Sequence, residues 1–184
     1  MPKTKKSSKL KVIILTANDF EDLELFYPYF RLLEEDAKVD IAGPAKGNIH
    51  GESGYGLKIG KTFNEINPND YDLLILPGGS ANGAPATVRK SRKAQEIAKA
   101  FFAKNKPVAA ICHGPYTLVS ANLVKGRHLT SYWHDDVPEE IRHAGGKWED
   151  KRVVVDGNLV TSRWPPDLPH FMREVMKMVS KYKK

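Results

Sequence analysis

A chain of 184 residues with one cysteine and a net charge of +7 has the size of a single domain that buries roughly 70% of its unfolded surface. A lone cysteine excludes an internal disulfide, which suits a reducing cytosol. No apolar run approaches the roughly 20 residues that a membrane-spanning helix needs, and the basic N-terminus lacks the apolar core of a signal peptide. We therefore expect a cytoplasmic protein.

The positive charge lies mostly at the two ends of the chain. Five lysines fall in residues 1–11 and four in residues 177–184, with no acid in either segment. These nine lysines exceed the whole net charge, so the rest of the chain is close to neutral. Short basic tails are usually solvated and disordered. We predict a disordered tail over residues 1–10 and one domain over residues 11–182. The distribution of charge does not indicate nucleic acid or a membrane as a partner.

Strands and helices alternate in the first half of the chain. We predict a strand over residues 11–16 and a helix that begins after Asn18 or Asp19 and runs to residue 33, with Pro28 bending it. A second strand covers residues 39–42. The glycine-rich segment 49–63 alternates apolar and polar residues, which predicts a β-hairpin attached to the main sheet. A strongly apolar strand then covers residues 71–76 and ends at a Pro-Gly-Gly sequence.

The second half continues the alternation. The predicted elements are one helix over residues 84–105, a strand over 108–111, a helix from 115, an extended segment over 127–131, a helix from 136 or 137 to 144, a hairpin of 153–155 with 159–163, and a last helix to about 181. The pattern predicts an α/β fold, a doubly wound three-layer sandwich with a mainly parallel sheet.

Cys112 stands where a strand turns sharply into a helix. It follows the apolar run 108–111, and Pro115 suits the first position of a helix. A helix N-terminus stabilises a thiolate, so we expect the pKa of this thiol to be lowered to roughly 3.5–7.5. The small residues Ala110 and Gly114 on either side are typical of a nucleophile elbow. A buried, inert cysteine is the alternative, and the position favours a reactive one.

Other groups follow strands at the same edge of the predicted sheet, where ligands bind in folds of this kind. Asn18 comes after the first strand and is a candidate for the substrate pocket. The backbone N–H groups of Gly78, Gly79 and His113 are candidate donors to an oxyanion beside Cys112. A plain turn accounts equally well for the two glycines.

Two further groups have competing interpretations. Glu21 is one of several acids in the first turn of the first helix, where complementing the helix dipole accounts for it without a catalytic role. Tyr132 and Trp133 are candidates for a pocket wall or a contact surface. They lead into His134-Asp135-Asp136, but adjacent positions rarely converge on one ion. We predict neither a metal nor a cofactor.

Five motifs together resemble the ThiJ/PfpI family, in its PfpI subgroup of intracellular proteases and protein deglycases. They span about residues 10–180, and their combination is specific although the Cys-His-Gly piece alone is not. They read Leu15-Thr-Ala-Asn-Asp-Phe-Glu-Asp22, Leu76-Pro-Gly-Gly79, Ala110-Ile-Cys-His-Gly-Pro115, Thr130-Ser-Tyr132, and Val153-Val-Val-Asp-Gly-Asn158 with Thr161-Ser-Arg163.

The resemblance implies a flavodoxin-like sandwich with Cys112 as the nucleophile. It implies that Glu21 lies beside the sulfur, shares a proton with it and acts as general acid and base. It also implies that the backbone of Gly79 and His113 binds the oxyanion, and that the protein is a homodimer, often built further into a hexamer.

One departure from the family pattern concerns an acid. PfpI proteases are described as using a cysteine, a histidine and a glutamate that the neighbouring subunit supplies from the segment after the Pro-Gly-Gly turn. Here residues 80–88 contain no acid, and Ala86 stands at the matching position. His113 then has no acid to orient it, and its side chain is free to point away from Cys112.

Three functions are compatible with these residues. The first is a cysteine-dependent enzyme that acts on small reactive carbonyls or on glycated protein or nucleotide groups, as a glyoxalase or a deglycase without a cofactor. The second is an intracellular cysteine peptidase, which the missing acid weakens. The third is a stress protein or holdase in which Cys112 senses oxidation. We favour the first, and expect slow turnover of methylglyoxal or glyoxal that depends more on Cys112 and Glu21 than on His113.

Overall fold

The computed structural model describes residues 9–182 as an α/β sandwich, which confirms the predicted fold class. Its strands are β1 (Lys11–Leu15), β2 (Lys38–Gly43), β3 (Gly47–His50), β4 (Gly56–Ile59), β5 (Lys61–Thr62), β6 (Leu73–Leu76), β7 (Val108–Ile111), β8 (His128–Leu129), β9 (Lys147–Trp148), β10 (Val153–Asp156) and β11 (Leu159–Ser162). Its helices are α1 (Asp22–Glu34), α2 (Ala84–Lys90), α3 (Arg92–Ala103), α4 (Pro115–Ser120), α5 (Val137–His143) and α6 (Leu168–Tyr182).

The central sheet has seven strands in the order β10-β11-β7-β6-β1-β2-β5. Every neighbouring pair is parallel except the hairpin of β10 and β11. Four strands at the centre, β1, β6, β7 and β11, are buried along almost their whole length. Because parallel strands end at the same edge, this order places the chain after β1, β6 and β7 side by side.

Two apolar cores cover the faces of the sheet. On one face α2, α3, α4 and α5 pack on the sheet around Phe101 and Ile97. On the other face α1 and α6 pack around Phe171 and Leu32. The side chains of successive strand residues alternate between these cores, as Ile13 and Ile14 of β1 do. The sheet is thereby held rigidly from both sides.

Three predicted elements differ from the observed ones. The hairpin of β3 and β4 forms its own two-stranded sheet, and β5 alone joins the main sheet beside β2. The helix predicted over residues 84–105 is two helices, because Ser91 is extended and its hydroxyl caps α3 by accepting from the Ala94 amide. The first helix begins later than predicted, with Glu21 as its N-cap, because Asp19 has a positive φ of 60° and Phe20 is bridged to Gly51 and Gly79.

The predicted basic tail lies mainly outside the described residues, which begin at Lys9. Leu10 is buried and its carbonyl accepts from the Lys38 amide, so this residue is part of the domain. Within residues 9–182, none of the helices combines the length and the apolar character that crossing a bilayer requires.

The turn after β7 leaves no room for a side chain at Gly114. A Cβ atom at this position would lie 2.1 Å from the carbonyl oxygen of Leu76 and 2.8 Å from that of Ile111. The backbone of Gly114 is in the ordinary helical region, with φ of −51°. Close approach to β6, and not backbone conformation, therefore requires glycine here.

We expect Gly114→Ala to lower the free energy of unfolding by about 1–3 kcal/mol, since both clashing atoms belong to the backbone. Gly60→Ala is the control, because a Cβ there meets nothing within 4 Å; its effect should stay within about 0.5 kcal/mol. Urea unfolding followed by circular dichroism measures both. Equal stability of the two variants would contradict the proposed clash.

Candidate active site

Cys112 occupies a strained turn at the carboxyl edge of the sheet. Its φ is +60°, a conformation that is uncommon for a residue with a side chain. Its amide donates to Ser162 of β11 at 3.1 Å, and its carbonyl accepts from the Tyr132 amide at 3.0 Å. The Gly114 amide donates to Ile111 at 2.7 Å and closes the turn. This is the nucleophile elbow that the sequence predicted, and β11 together with the segment after β8 holds it through these hydrogen bonds.

Two backbone amides point at the sulfur. The N–H groups of His113 and Gly79 both interact favourably with a thiolate at Cys112. Gly78, the third predicted donor, is used differently: its amide donates to Oε2 of Glu24 at 2.8 Å. The two amides that face Cys112 are therefore available to an oxyanion formed beside the sulfur, whereas the amide of Gly78 is not.

The carboxyl group beside the sulfur belongs to Glu24 and not to Glu21. A Cβ atom built on Gly78 would lie 2.5 Å from Oε2 of Glu24 and 3.0 Å from Sγ of Cys112, so both atoms line the same small space. Glu24 is completely buried, and its Oε1 has no hydrogen-bond partner among the described residues. The prediction that Glu21 lies beside the sulfur is therefore wrong.

Glu21 has a different place, three residues earlier. Its carboxylate caps α1 by accepting from the Glu24 amide at 2.7 Å. This is the helix-end interpretation that its sequence position suggested. Glu21 is half-buried and lines the outer part of the same cavity, where burial raises the pKa of its carboxyl. The cap holds the first turn of α1 so that the side chain of Glu24 turns inward.

Cys112 and Glu24 form a coupled pair. Burial raises the pKa of the Glu24 carboxyl well above its usual range, and the charge of Glu21 adds to the rise. Burial and the Glu24 carboxylate likewise raise the pKa of the Cys112 thiol, while the amides of His113 and Gly79 act in the opposite direction. The expected low pKa is therefore wrong, because desolvation outweighs the amides at the helix end. A proton on Glu24 would remove the repulsion that its carboxylate exerts on a thiolate.

The imidazole of His113 lies against the sulfur instead of pointing away. Its Nδ1 is 3.2 Å from Sγ of Cys112, and its Nε2 is 2.9 Å from Oδ2 of Asp135. The ring is buried between the rings of Tyr116 and Tyr132, at centroid distances of 5.6 and 5.1 Å. The expectation that no acid orients His113 is therefore wrong: the acid comes from the same chain, 22 residues further on.

Of the remaining predicted site residues, one lines the cavity and two lie outside it. Tyr132 lines a cavity of about 370 Å³ in front of Cys112. Trp133 does not line it but stands behind Trp164, which does, with the two rings edge-on at 5.2 Å. Asn18 is not part of the wall either; its side-chain oxygen accepts from the His50 amide and ties β3 to the end of β1.

Three acids that the sequence motifs do not indicate surround this cavity: Glu24, Glu52 and Asp135. Helical spacing could have identified Glu24, because it shares the inward face of α1 with Leu25, Pro28 and Leu32, an unusual place for an acid. No such signal marks Glu52, which lies in the loop between β3 and β4 and accepts from the Ser80 amide. Among the described residues, no group of three or more histidine, cysteine or acidic residues could hold a metal ion.

The buried carboxyl of Glu24 should reduce stability at neutral pH. Its pKa is raised in the folded state, so its contribution to stability is full below the unfolded value of about 4.5 and is lost as the pH rises toward the folded pKa. We expect Glu24→Gln to melt at a higher temperature than the wild type at pH 8, by about 2–4 °C for each kcal/mol of relief. The advantage should shrink as the pH falls to 4. Melting curves at both pH values measure it, and a lower melting temperature at pH 8 would contradict the burial argument.

Known proteins match this chain over almost its whole length. The sequence profile described as the DJ-1/PfpI family matches residues 10–178. The chain is 50% identical over 170 residues to the Deglycase PfpI of Pyrococcus furiosus, covering 92% of this chain and 99% of that protein. It is 35% identical over 173 residues to the Protein/nucleic acid deglycase 2 of Escherichia coli, covering 92% and 97%.

A solved structure shows the same architecture. The crystal structure of a two-domain protein from Anabaena variabilis, with DJ-1/ThiJ/PfpI-like and ferritin-like domains, superimposes with a TM-score of 0.88 at 29% identity. The match covers 94% of this chain and 48% of that one, so this chain spans about half of the two-domain protein. The matched profile, the high identity to full-length relatives and the shared fold show that this chain belongs to the DJ-1/PfpI family.

Proposed function

We propose that this chain is a cofactor-independent enzyme that acts on reactive dicarbonyls and on the early adducts they form with amines, as a deglycase and glyoxalase. The proposal depends on the surroundings of the Cys112 sulfur. This sulfur lies between the buried carboxyl of Glu24 and the amides of Gly79 and His113. The relatives from Pyrococcus furiosus and Escherichia coli that are named deglycases support it. A protein with a single cysteine suits the reducing cytoplasm, where we propose that it acts.

The reaction of methylglyoxal begins with the sulfur. The sulfur of Cys112 adds to the aldehyde carbon as the thiol proton passes to the Glu24 carboxylate, and the amides of Gly79 and His113 hold the oxyanion of the hemithioacetal until Glu24 gives that proton to it. The Glu24 carboxylate then takes the proton from the former aldehyde carbon and delivers it to the neighbouring carbon, while the hydroxyl proton moves to the oxygen of that neighbouring carbon, which converts the hemithioacetal into a thioester. Water then hydrolyses the thioester, so that one methylglyoxal and one water give one lactic acid and free Cys112.

The same steps repair a glycated amine. In an early adduct the aldehyde carbon carries a hydroxyl group and the amine nitrogen. The amine leaves with a proton as the bond from this carbon to sulfur forms, and the remaining steps are those of free methylglyoxal. The amine is regenerated and the dicarbonyl leaves as a hydroxy acid.

The two glutamates of the first turn of α1 offer a matched test of the proton shuttle. We expect Cys112→Ser and Glu24→Gln each to lower the turnover of methylglyoxal by at least about 100-fold, since each removes a group that the reaction requires. Glu21→Gln should keep most of the activity, because a side-chain amide oxygen can still cap α1. Formation of lactate measures all three variants. Loss of activity in Glu21→Gln with an active Glu24→Gln would contradict the assignment.

A peptidase is the second candidate, and the contacts of His113 favour it. Peptide hydrolysis needs a base beside the nucleophile and an acid to orient that base. The contacts from Cys112 to His113 and from His113 to Asp135 provide both within one chain. Cleavage of casein by pure protein, lost in Cys112→Ser, would support this activity, and lactate formation with no cleavage would argue against it.

We also propose that the protein assembles through the outer face of α1. The large apolar side chains that remain exposed gather there, with Leu23 and Phe30 both 58% exposed and Tyr55 beside them 67% exposed. Exposed apolar groups clustered in this way mark interaction surfaces. Tyr132 and Trp133, the surface suggested by the sequence, are partly buried around the cavity and offer less contact area.

We expect the wild-type protein to be at least a dimer, and the double variant Leu23→Glu/Phe30→Glu to lose mass at equal concentration, because paired carboxylates would have to be buried at the contact. Light scattering after gel filtration at micromolar concentration measures both. Val155→Glu is the control, since Val155 is an exposed apolar residue of the edge strand β10, away from α1. A monomeric wild-type protein, or an unchanged mass in the double variant, would contradict this surface.

A further inference from the structure

This inference rests on the proposed function and concerns Asp135, which is a positioning residue for the release of product from Cys112. We propose that Asp135 holds His113 with its proton on Nε2, and that Nδ1 then acts as the base that directs water onto the thioester at Cys112. In this scheme Glu24 serves the first half of the reaction and His113 the second.

The two hydrogen-bonding atoms of His113 determine its tautomer. Oδ2 of Asp135 is 2.9 Å from Nε2, and an ionised carboxylate can only accept, so Nε2 carries the hydrogen. Nδ1 then carries a lone pair and can only accept, and it lies 3.2 Å from Sγ of Cys112, from whose thiol it can accept. A base within one water molecule of the sulfur has the position that thioester hydrolysis requires.

The position of Asp135 is itself supported by its surroundings. The next residue, Asp136, accepts a hydrogen bond from the hydroxyl of Tyr116, which lies on α4 directly after the elbow. Arg89 stacks on the Tyr116 ring, 4.3 Å from its centroid, and its Nη1 donates to Glu140 of α5 at 2.9 Å. These contacts join the start of α5 to the elbow helix. The carboxylate of Asp135 is thereby kept against an imidazole that is almost fully buried.

Hydrolysis of the lactoyl thioester consumes water and no other reactant. Water adds to the carbonyl carbon of the lactoyl thioester as its proton moves to Nδ1 of His113, and the amides of Gly79 and His113 hold the oxyanion. The bond from carbon to sulfur then breaks, and the imidazolium returns the proton to the leaving thiolate. Asp135 stabilises the imidazolium while the proton is on it and does not itself take the proton.

Several titratable groups face this imidazole and share its electrostatic environment. Around the ring and across the cavity they are Cys112, Tyr116, Tyr132, Asp135, Glu21, Glu24 and Glu52. Among them Asp135 alone is within hydrogen-bond distance of Nε2. Replacing Asp135 should therefore change the tautomer of His113 more than replacing any other carboxylate of the cavity.

Asp135→Asn is the test, with Asp136→Asn as the matched control, because the Asp136 side chain contacts Tyr116 and not His113 and the amide oxygen of Asn can still accept from that hydroxyl. In Asp135→Asn the share of the His113 tautomer with its hydrogen on Nε2, followed by ¹⁵N NMR of the imidazole, should fall, because an amide can donate to Nε2 as well as accept from it. In Asp136→Asn this share should stay close to the wild-type value. An equal fall in both variants, or no fall in Asp135→Asn, would overturn the positioning role.

A second experiment measures the lactoyl thioester on Cys112 and the rate of lactate formation. In Asp135→Asn the steady-state formation of lactate should slow about 10- to 100-fold, with a lactoyl adduct on Cys112 accumulating in mass spectra after a single turnover. His113→Ala should accumulate the same adduct, and the double variant should be no slower than His113→Ala, because the two residues act as one unit. Wild-type release of product from Asp135→Asn would reject the inference alone.

Different results would reject the proposed enzyme activity and the role of Asp135. Absence of lactate formation in the wild type would reject the proposed function, and the NMR measurement of the His113 tautomer, which needs no substrate, would then decide whether Asp135 orients His113. If Asp135→Asn does not fold, His113→Gln replaces it. Its amide cannot act as the base, so the adduct should accumulate, and failure to accumulate it would overturn the role of the imidazole.

Discussion

The chemistry of this protein depends on how closely the ends of β6 and β7 approach each other. The carbonyl of Leu76 lies against Gly114, and Gly78 lies against both Cys112 and Glu24, so that a single methyl group at either glycine would separate the parts of the site. This contact forces the positive φ of Cys112 and turns its sulfur toward the amides of Gly79 and His113. Strain at one residue is sustained because the buried sheet on either side cannot yield.

A second constraint is the burial of a carboxyl group without a cation. Burial and the neighbouring acid Glu21 disfavour the charge of Glu24, and the hydrogen bonds from the Gly78 amide and the Cys112 thiol offset this only in part. A structure selected for stability alone would place an apolar residue here, as it does at Leu25 and Leu32 on the same helix face. The group costs stability at neutral pH; under the proposed function, it holds a proton within reach of both the Cys112 sulfur and the substrate carbon.

The acid beside His113 shows how a catalytic geometry can be kept by another route. Ala86, which matches a catalytic glutamate in the family pattern, is a residue of α2. Asp135 comes from the loop before α5 and reaches the same imidazole from its own chain. An acid in the same chain removes the need for a partner subunit to orient His113. Under the two proposed activities, His113 would be the base both for peptide cleavage and for thioester hydrolysis, so kinetics with both substrates must separate them.

The sequence by itself determined the parts of the site that local structure controls. Strands interrupted by glycine and proline predicted the parallel sheet, and the small residues around Cys112 predicted the elbow and its amide from His113, because turn geometry depends on a few adjacent residues. Tertiary structure alone decided which acids are used. Glu21 and Glu24 are three residues apart in one acidic turn, and only the packing of α1 against Gly78 turns one inward and leaves the other as a cap. Asp135 meets His113 across 22 residues because α5 is anchored to the elbow helix, a contact between distant segments that no local pattern records.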